Sequence, residues 1–299
     1  MIPSFNRAKF ICAAIDSVLA QTCDCYEIIV VDDGSTDGTA SLLGPYLDRI
    51  TLVQQPNRGV AAARNHGIRL SRGEFVCFLD SDDLWMEDKL RQQLQFADAH
   101  PEYGLIATEI TSFDEGGVVA THAKSGMYTI PNGRVTQQLL FTNWIQTSTV
   151  MVRRACLSEV GGFAEDVGQF GEDWLLWMLV SSRYPIYFLR EPLVFYRVHP
   201  QNLSTYQPES QYASLMLILQ KLRSLPQFAG DDSLLKEASY RISLGRGRQD
   251  MRAGAYMRAV QKLRLACANR KLPWKAWLLL LYAELRLRLT SKITPLAQA

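Results

Sequence analysis

Along the first hundred residues the apolar positions switch repeatedly between two periods. Phe10, Ile11, Ala14, Ile15, Val18 and Leu19 recur at helical spacing and predict a helix within residues 7–21. YEIIVV, residues 26–31, is instead a short continuous apolar run, the pattern of a strand buried on both faces. It ends in DDGSTDGT, where Gly34 and Gly38 permit tight turns and Ser35, Thr36 or Asp37 can cap a helix running to Leu47. The alternation continues with a strand at 50–54, a helix from about Val60 to Leu70, a strand at 75–79 and a helix from Glu87 to Ala99. Strands alternating with helices predict a parallel sheet in an α/β fold.

The next hundred residues are less regular. GLIATEIT at 104–111 and TSTVMVR at 147–153 read as strands, with a short helix near Gly133 to Phe141 between them. GEDWLLW at 171–177 opens an acidic helix, and VFYRVH at 194–199 reads as a last strand. Beyond Tyr206 the pattern is helical, with Pro226 and Pro273 as breaks, which puts a boundary near residue 207. Charge changes sign at about the same place: 16 basic against 25 acidic residues up to Ser210, then 16 against 5. A near-neutral chain is thereby divided into an acidic front and a basic tail. The longest apolar run, Ala276 to Ala283, is too short to span a bilayer. The six cysteines lack the paired spacing of a zinc site and are expected to be reduced thiols of a cytosolic chain. No signal peptide is expected, since Met1 runs almost directly into Pro3.

The densest chemistry lies in GEFVCFLDSDDLW, residues 73–85. Asp80, Asp82 and Asp83 repel one another at the end of a predicted buried strand unless a cation or a network of donors neutralises them. A hard divalent metal is the natural candidate, because open α/β sheets bind ligands just outside the carboxyl ends of their strands. The alternative is that Asp82 or Asp83 caps the segment from Trp85 to Ala99, with Glu87 and Asp88 in its first turn.

Taken in order, IPSFNR at 2–7, AIDSVLAQT at 14–22, IIVVDDGSTDGT at 28–39 and NRGVAAARNHGI at 57–68 resemble the family 2 glycosyltransferases. So do GEFVCFLDSDD at 73–83, VGGF at 160–163, GEDWLLW at 171–177 and EPLVFYRVHPQNLS at 191–204. The resemblance implies an α/β fold of the GT-A type, a Rossmann-like, mostly parallel sheet flanked by helices, with a helical C-terminal extension. Its domain would cover 1–206, the nucleotide half at about 1–100 and the acceptor half at about 101–206, leaving 207–299 as a basic helical region. It also implies an inverting, metal-dependent transfer from a nucleotide-sugar, a UDP-sugar, to a saccharide or lipid-linked acceptor in cell-surface polysaccharide synthesis.

The resemblance further assigns residues. DSD at 80–82 is similar to the family's DxD motif, so Asp82 would coordinate Mg2+ or Mn2+ and Asp80 would contact the metal or the ribose. His199 matches a position that supplies a further metal or diphosphate contact in some relatives. Ser4 and Phe5 would line the nucleotide, Phe5 replacing a tyrosine common in the family. Asp33, with Asp32 as the alternative, would accept a hydrogen bond from a uracil ring, and Arg64 would reach the base or diphosphate. GEDWLLW is similar to the family's ED motif; Asp173 would be the base that takes the acceptor proton, with Glu172 as second choice. Trp174 and Trp177 would line the acceptor cleft or belong to the core.

Two departures stand out. The family's first strand usually has several apolar residues before IPSFN, and here Met1 and Ile2 stand alone, so either the true start lies upstream or the nucleotide half is weakened. The second is the tail, where KLPWKAWLLLLYAELRLRLTSK at 271–292 joins an apolar centre to flanking cations, with Trp274, Trp277 and Tyr282 suited to a membrane interface. It predicts either a packed helix with a basic outer face or a peripheral contact at the inner face of the plasma membrane. No recognition motif for nucleic acid accompanies the charge. Two rival functions remain: a nucleotidyltransferase, which lacks its Gly-rich basic loop here because SFNR stands in that place, and a noncatalytic sugar-nucleotide or membrane-binding protein.

Overall fold

A computed structural model describes residues 1–168, 170–200, 202, 208–228, 230, 232–270 and 273–293. The chain divides into two compact units, Met1–Gln207 and Pro208–Ala299. Residues 203–207, on which the expected boundary falls, lie outside the described residues.

The first unit opens with three parallel strands, β1 (Ile2–Ser4), β2 (Ile29–Asp32) and β3 (Thr51–Gln54), in spatial order β1-β2-β3. Helices α1 (Ile11–Leu19), α2 (Thr39–Leu42) and α3 (Val60–Leu70) connect and follow them. The predicted helices at 7–21 and 35–47 are shorter than expected, because loop residues 6–8 and 35–37 are held in hydrogen-bonded turns rather than helical ones. The run at 75–79 forms β4 (Phe75–Cys77), which pairs antiparallel with β8 (Met151–Arg153), not parallel as its pattern predicts. Burial on both faces looks the same in either direction, so periodicity alone could not separate them. On its other edge Met1 donates to the Cys77 carbonyl and accepts from Leu79 N, so the two sheets meet there.

The rest of the second sheet is β5 (Leu84–Trp85), β6 (Leu105–Asp114), β7 (Gly117–Thr121) and β9 (Ile186–Arg197), in the order β4-β8-β6-β9-β5 with β7 beside β6. Helices α4 (Lys89–Ala99), α5 (Thr136–Phe141), α6 (Arg154–Val160) and α7 (Glu172–Arg183) lie between these strands in sequence. Leu84 and Trp85, expected near a helix start, pair instead with Phe195 and Val194 of β9. Helix α4 begins only at Lys89 with Asp88 as its N-cap, so neither Asp82 nor Asp83 caps it.

The second unit is helical: α8 (Pro208–Ser224), α9 (Asp232–Arg252), α10 (Tyr256–Asn269) and α11 (Trp274–Ile293). Tyr240, Leu244, Ala259, Leu263, Ala266, Ala276, Leu280 and Ala283 form its core. Gly247 lets α9 approach Leu263 of α10 to a distance that a Cβ would close to 2.8 Å. Lys262 donates to Glu209 and Asp250, each at 2.6 Å, fastening α8, α9 and α10 at one point.

One buried charge in the first unit lacks such a partner. Lys89 is fully buried, donates to Gln93 Oε1 at 2.7 Å and stands 4.1 Å from the Trp85 ring centre, with no paired carboxylate among the described residues. Burial disfavours its charged form and lowers its pKa to about 8. Below that pH the folded and unfolded chains both bind the proton and the cost is fully present. Between about 8 and the ordinary lysine value of 10.5 the unfolded chain still binds it while the folded one does not, so stability rises with pH. Urea melts across that window are expected to show a gain of ~3 kcal/mol in the wild type that Lys89→Met lacks.

Candidate active site

Side chains from the carboxyl ends of β1, β2 and β4, from the N-terminus of α7 and from the segment after β9 carry the candidate site, with Arg64 contributed by α3. The first loop is fixed to the turn after β2. Asn6, in the left-handed region at φ 52°, donates its N–H to Ser35 Oγ (2.9 Å) and accepts from Thr36 N (2.8 Å). Arg7 N donates to Thr39 Oγ1 and Ala8 N to Asp37, each at 3.0 Å. Phe5 is 43% exposed at the rim, and the neighbouring Ser4 hydroxyl is buried without a partner among the described residues.

Asp32 and Asp33 are both buried but do different things. Asp33 accepts from Gln55 Nε2 (2.8 Å), Arg58 N (2.9 Å) and Gly59 N (2.8 Å), tying the end of β2 to the start of α3. Among the described residues Asp32 accepts only from Ser35 N at 3.1 Å and from Gln54 at a long 3.4 Å. Since Asp33 is occupied as a brace, Asp32 has the freer carboxylate.

Arg64 of α3 is the centre of the site. Its Nη1 donates to Glu172 and its Nη2 to Asp80, both at 2.7 Å, and the guanidinium lies 5.2 Å from the Phe163 ring centre. It was expected to reach outward to a base or diphosphate; instead both of its terminal nitrogens are committed to protein carboxylates. Asn65 holds the ring in place by donating to Phe163 O and accepting from Phe163 N, each at 2.9 Å. Gly162, at φ 74°, is where any Cβ would come within 2.7 Å of Asn65 Oδ1, which gives the VGGF segment its physical reason.

Asp80, Asp82 and Asp83 diverge. Asp83 is buried, accepting from Ser148 Oγ (2.6 Å) and Arg197 N (2.9 Å); burial and its two acidic neighbours hold its pKa well above the usual carboxylate range. It is an internal brace. Ser148 also receives Asp80 N at 3.1 Å, so this one hydroxyl sets the whole DSDD turn. Asp82 Oδ2 instead faces His199 Nε2 at 3.1 Å and Arg7 Nε at 3.6 Å, with the imidazole stacked 5.1 Å from Phe10.

A carboxylate oxygen opposite an imidazole nitrogen is a donor set that fits a divalent ion. Among the described residues no group of three or more His, Cys, Asp or Glu is arranged to hold one. Two protein donors still suit Mg2+ or Mn2+, which commonly completes its shell with substrate phosphates and water. Asp80 is held by Arg64.

At the start of α7, Asp173 accepts from Thr147 Oγ1 (3.1 Å) and from Trp174 N (2.6 Å). Burial raises its pKa, and burial with the Asp173 charge lifts Glu172 to about 7 against the opposing pull of Arg64. Trp174 and Trp177 are core: Trp174 is buried and bonded to Leu139 O, and Trp177 is fully buried against Phe78 and Phe163.

Sequence reading missed Thr147 and Ser148, Asn6, Asn65 and Lys124. Lys124 carries a charge that acts on Asp173 and Glu109, and burial lowers its pKa. Its loop is fastened by Glu109, which accepts from Lys124 N and Ser125 N. A serine or asparagine in a loop gives no periodic signal, and only the QTST turn next to a predicted strand could have pointed to Thr147 and Ser148.

With this geometry in hand, comparisons add independent information. The family model described as Glycosyl transferase family 2 matches residues 1–161. An uncharacterized glycosyltransferase of Rickettsia bellii is 33% identical over 73% of this chain and 31% of its own. The putative teichuronic acid biosynthesis glycosyltransferase TuaG of Bacillus subtilis is 32% identical over 68% of this chain and 79% of its own. The chain spans about 30% of the length of the first curated relatives it matches. Crystal structures share the fold: S. aureus TarS 1-349 with UDP-GlcNAc (TM-score 0.67, 21% identity, 95% of this chain and 86% of that one). A second is the mannosyltransferase PcManGT of Pyrobaculum calidifontis with GDP-Man and Mn2+ (TM-score 0.63, 22% identity, 93% and 76%).

Replacing Arg64 by Met leaves Asp80 and Glu172 facing each other without their cation, and is expected to cost ~3 kcal/mol at pH 7.5 in chemical denaturation. Without Arg64 the folded pKa of Glu172 lies even further above its unfolded value. The protonated form is then the one the fold favours, so the deficit should shrink at pH 5.

Proposed function

The chain belongs to glycosyl transferase family 2, and we propose that it moves a sugar with inversion from a nucleotide-sugar to a saccharide or lipid-linked acceptor. The carrying observation is the single cluster in which Arg64 joins Asp80 to Glu172 while Asp173 stands next to it and the Asp82–His199 pair faces the same strand ends. A UDP-sugar is the donor favoured by a carboxylate able to accept a ring N–H, and TarS, of the same fold, is crystallised with UDP-GlcNAc. Phe5 would stack on the base, Ser4 would offer its unpartnered hydroxyl, and Asp32 would take the uracil contact in place of Asp33.

Asp82 and His199 would hold Mg2+ or Mn2+; an ion bound there would supply Lewis-acid stabilisation of the departing diphosphate. Asp80, oriented by Arg64, would serve the ribose or diphosphate side. Asp173 would take the proton from the acceptor hydroxyl. Its raised pKa suits that work, and its ties to one hydroxyl and one amide leave it less constrained than Glu172, which Arg64 immobilises. Glu172 thus positions Arg64 rather than acting as the base.

The relative TuaG supports an acceptor in cell-surface polysaccharide biosynthesis. The lipid-linked branch of that class favours a cytoplasmic enzyme at the inner face of the plasma membrane. The segment 271–292 is the candidate for that contact, although Lys271 and Leu272 lie outside the described residues. A nucleotidyltransferase is disfavoured because SFNR follows β1 where a Gly-rich basic loop is needed, and a noncatalytic binder has no use for Asp80, Asp82, Glu172 and Asp173 together.

Calorimetric binding of a panel of nucleoside diphosphates, with and without Mn2+, tests the donor half: UDP binding that depends on the ion is expected, and Asp82→Ala should abolish that dependence. Asp32→Asn should weaken UDP binding about tenfold, as loss of one charged hydrogen bond does. Asp173→Asn should bind UDP as the wild type does while transfer falls ~10³-fold, the usual weight of a general base. Full transfer by that variant would remove the base assignment.

A further inference from the structure

We infer that the outer face of α11 is a docking surface for an anionic lipid bilayer. The inference stands on the second unit alone and does not depend on the reaction assigned to the first. One side of α11 is accounted for: Ala276, Leu280 and Ala283 are buried in the helical core, with Leu279 and Leu287 packed against it. The other side is apolar as well. Trp274, Trp277, Leu278, Leu281, Leu285 and Leu289 are each between 49% and 64% exposed. At 100° per residue these six fall in one continuous arc of roughly 120°, pointing directly away from the core, and Tyr282 extends it. A helix apolar on all sides belongs in a setting where both sides are covered. Leaving such a stripe in water, on a unit that otherwise exposes charged side chains, asks for an occupant.

The charge distribution identifies that occupant. From Pro208 onward the chain carries sixteen Lys and Arg against six Asp and Glu. Among the described side chains of α11 the exposed charges are all cationic, Lys275 and Arg286 beside the stripe and Arg288 falling within its arc; the one acid, Glu284, is turned to Arg264 at 2.8 Å. A second copy meeting this face would bring two strongly cationic units together. An anionic bilayer reverses that term, since each cation near such a surface is attracted to it. The side chains also match the depth profile of an interface: tryptophan and tyrosine near the headgroups, leucines beneath, and long cationic stems reaching back to the phosphates. Among the described residues no helix is long and apolar enough to cross a membrane, so the contact would lie in the plane of the surface.

The test is co-flotation of the full chain with vesicles of phosphatidylcholine alone or with 30% phosphatidylglycerol. The wild type should float with the anionic vesicles and not the neutral ones, with a blue shift of tryptophan emission, and should be released by 0.5 M salt. The triple variant Trp277→Ser, Leu281→Ser, Leu285→Ser changes only exposed positions, so its melting temperature should hold while its partitioning falls at least tenfold. Equal partitioning of wild type and variant, or no binding to anionic vesicles at low salt, overturns the inference. So does a concentration-dependent dimer of the wild type, seen by sedimentation, that the triple variant abolishes, because the face would then belong to a second copy.

Discussion

The site depends on one buried cation. Arg64 is placed by α3 with almost no exposure, and the two carboxylates it joins come from distant points of the chain, Asp80 at the end of β4 and Glu172 at the start of α7. Without Arg64 the two carboxylates would face each other with no countercharge, Glu172 among them buried, which costs several kcal/mol. The bridge therefore couples the end of β4 to the start of α7. The Phe163 ring beneath the guanidinium and the Asn65 clamp on that ring extend the same coupling into the loop at 161–165. The position of Asp173, the next residue along α7, is a by-product of where Arg64 holds Glu172.

Around this bridge acids that look alike in the sequence are sorted by environment. Asp33 accepts three hydrogen bonds and the buried Asp83 accepts two, while Asp32 accepts one at 3.1 Å and a long second one and Asp82 faces His199 and Arg7. Ser148 enforces the difference at the second turn by receiving Asp80 N while donating to Asp83.

Much of this was legible from the chain alone, and the exceptions have physical causes. Helix α3 matches its predicted limits because its apolar face and the glycine before it both mark them. The fourth strand was found but its direction was not, since burial on two faces carries no sign. The family resemblance located the acidic motifs, yet could not say that Arg64 turns inward, because an arginine on a helix reads the same whether its partners are phosphates or carboxylates. Trp174 and Trp177 were ambiguous for the same reason: an indole suits a sugar ring and a core equally. Asn6, Asn65, Thr147 and Ser148 act through hydrogen bonds to residues distant in sequence, which no local pattern records.

The first loop has a consequence for how a ligand would arrive. Five hydrogen bonds join residues 6–8 to residues 35–39, and Asn6 is held in a backbone conformation that few residues other than glycine adopt. The aromatic rim at Phe5 is thus rigid before anything binds. A planar ring stacking there would meet a finished wall, with little ordering entropy left to lose and no loop closure to wait for. Encounter would then be limited by diffusion and orientation rather than by a gate, and differences in affinity among nucleotides would be expressed in how fast they leave.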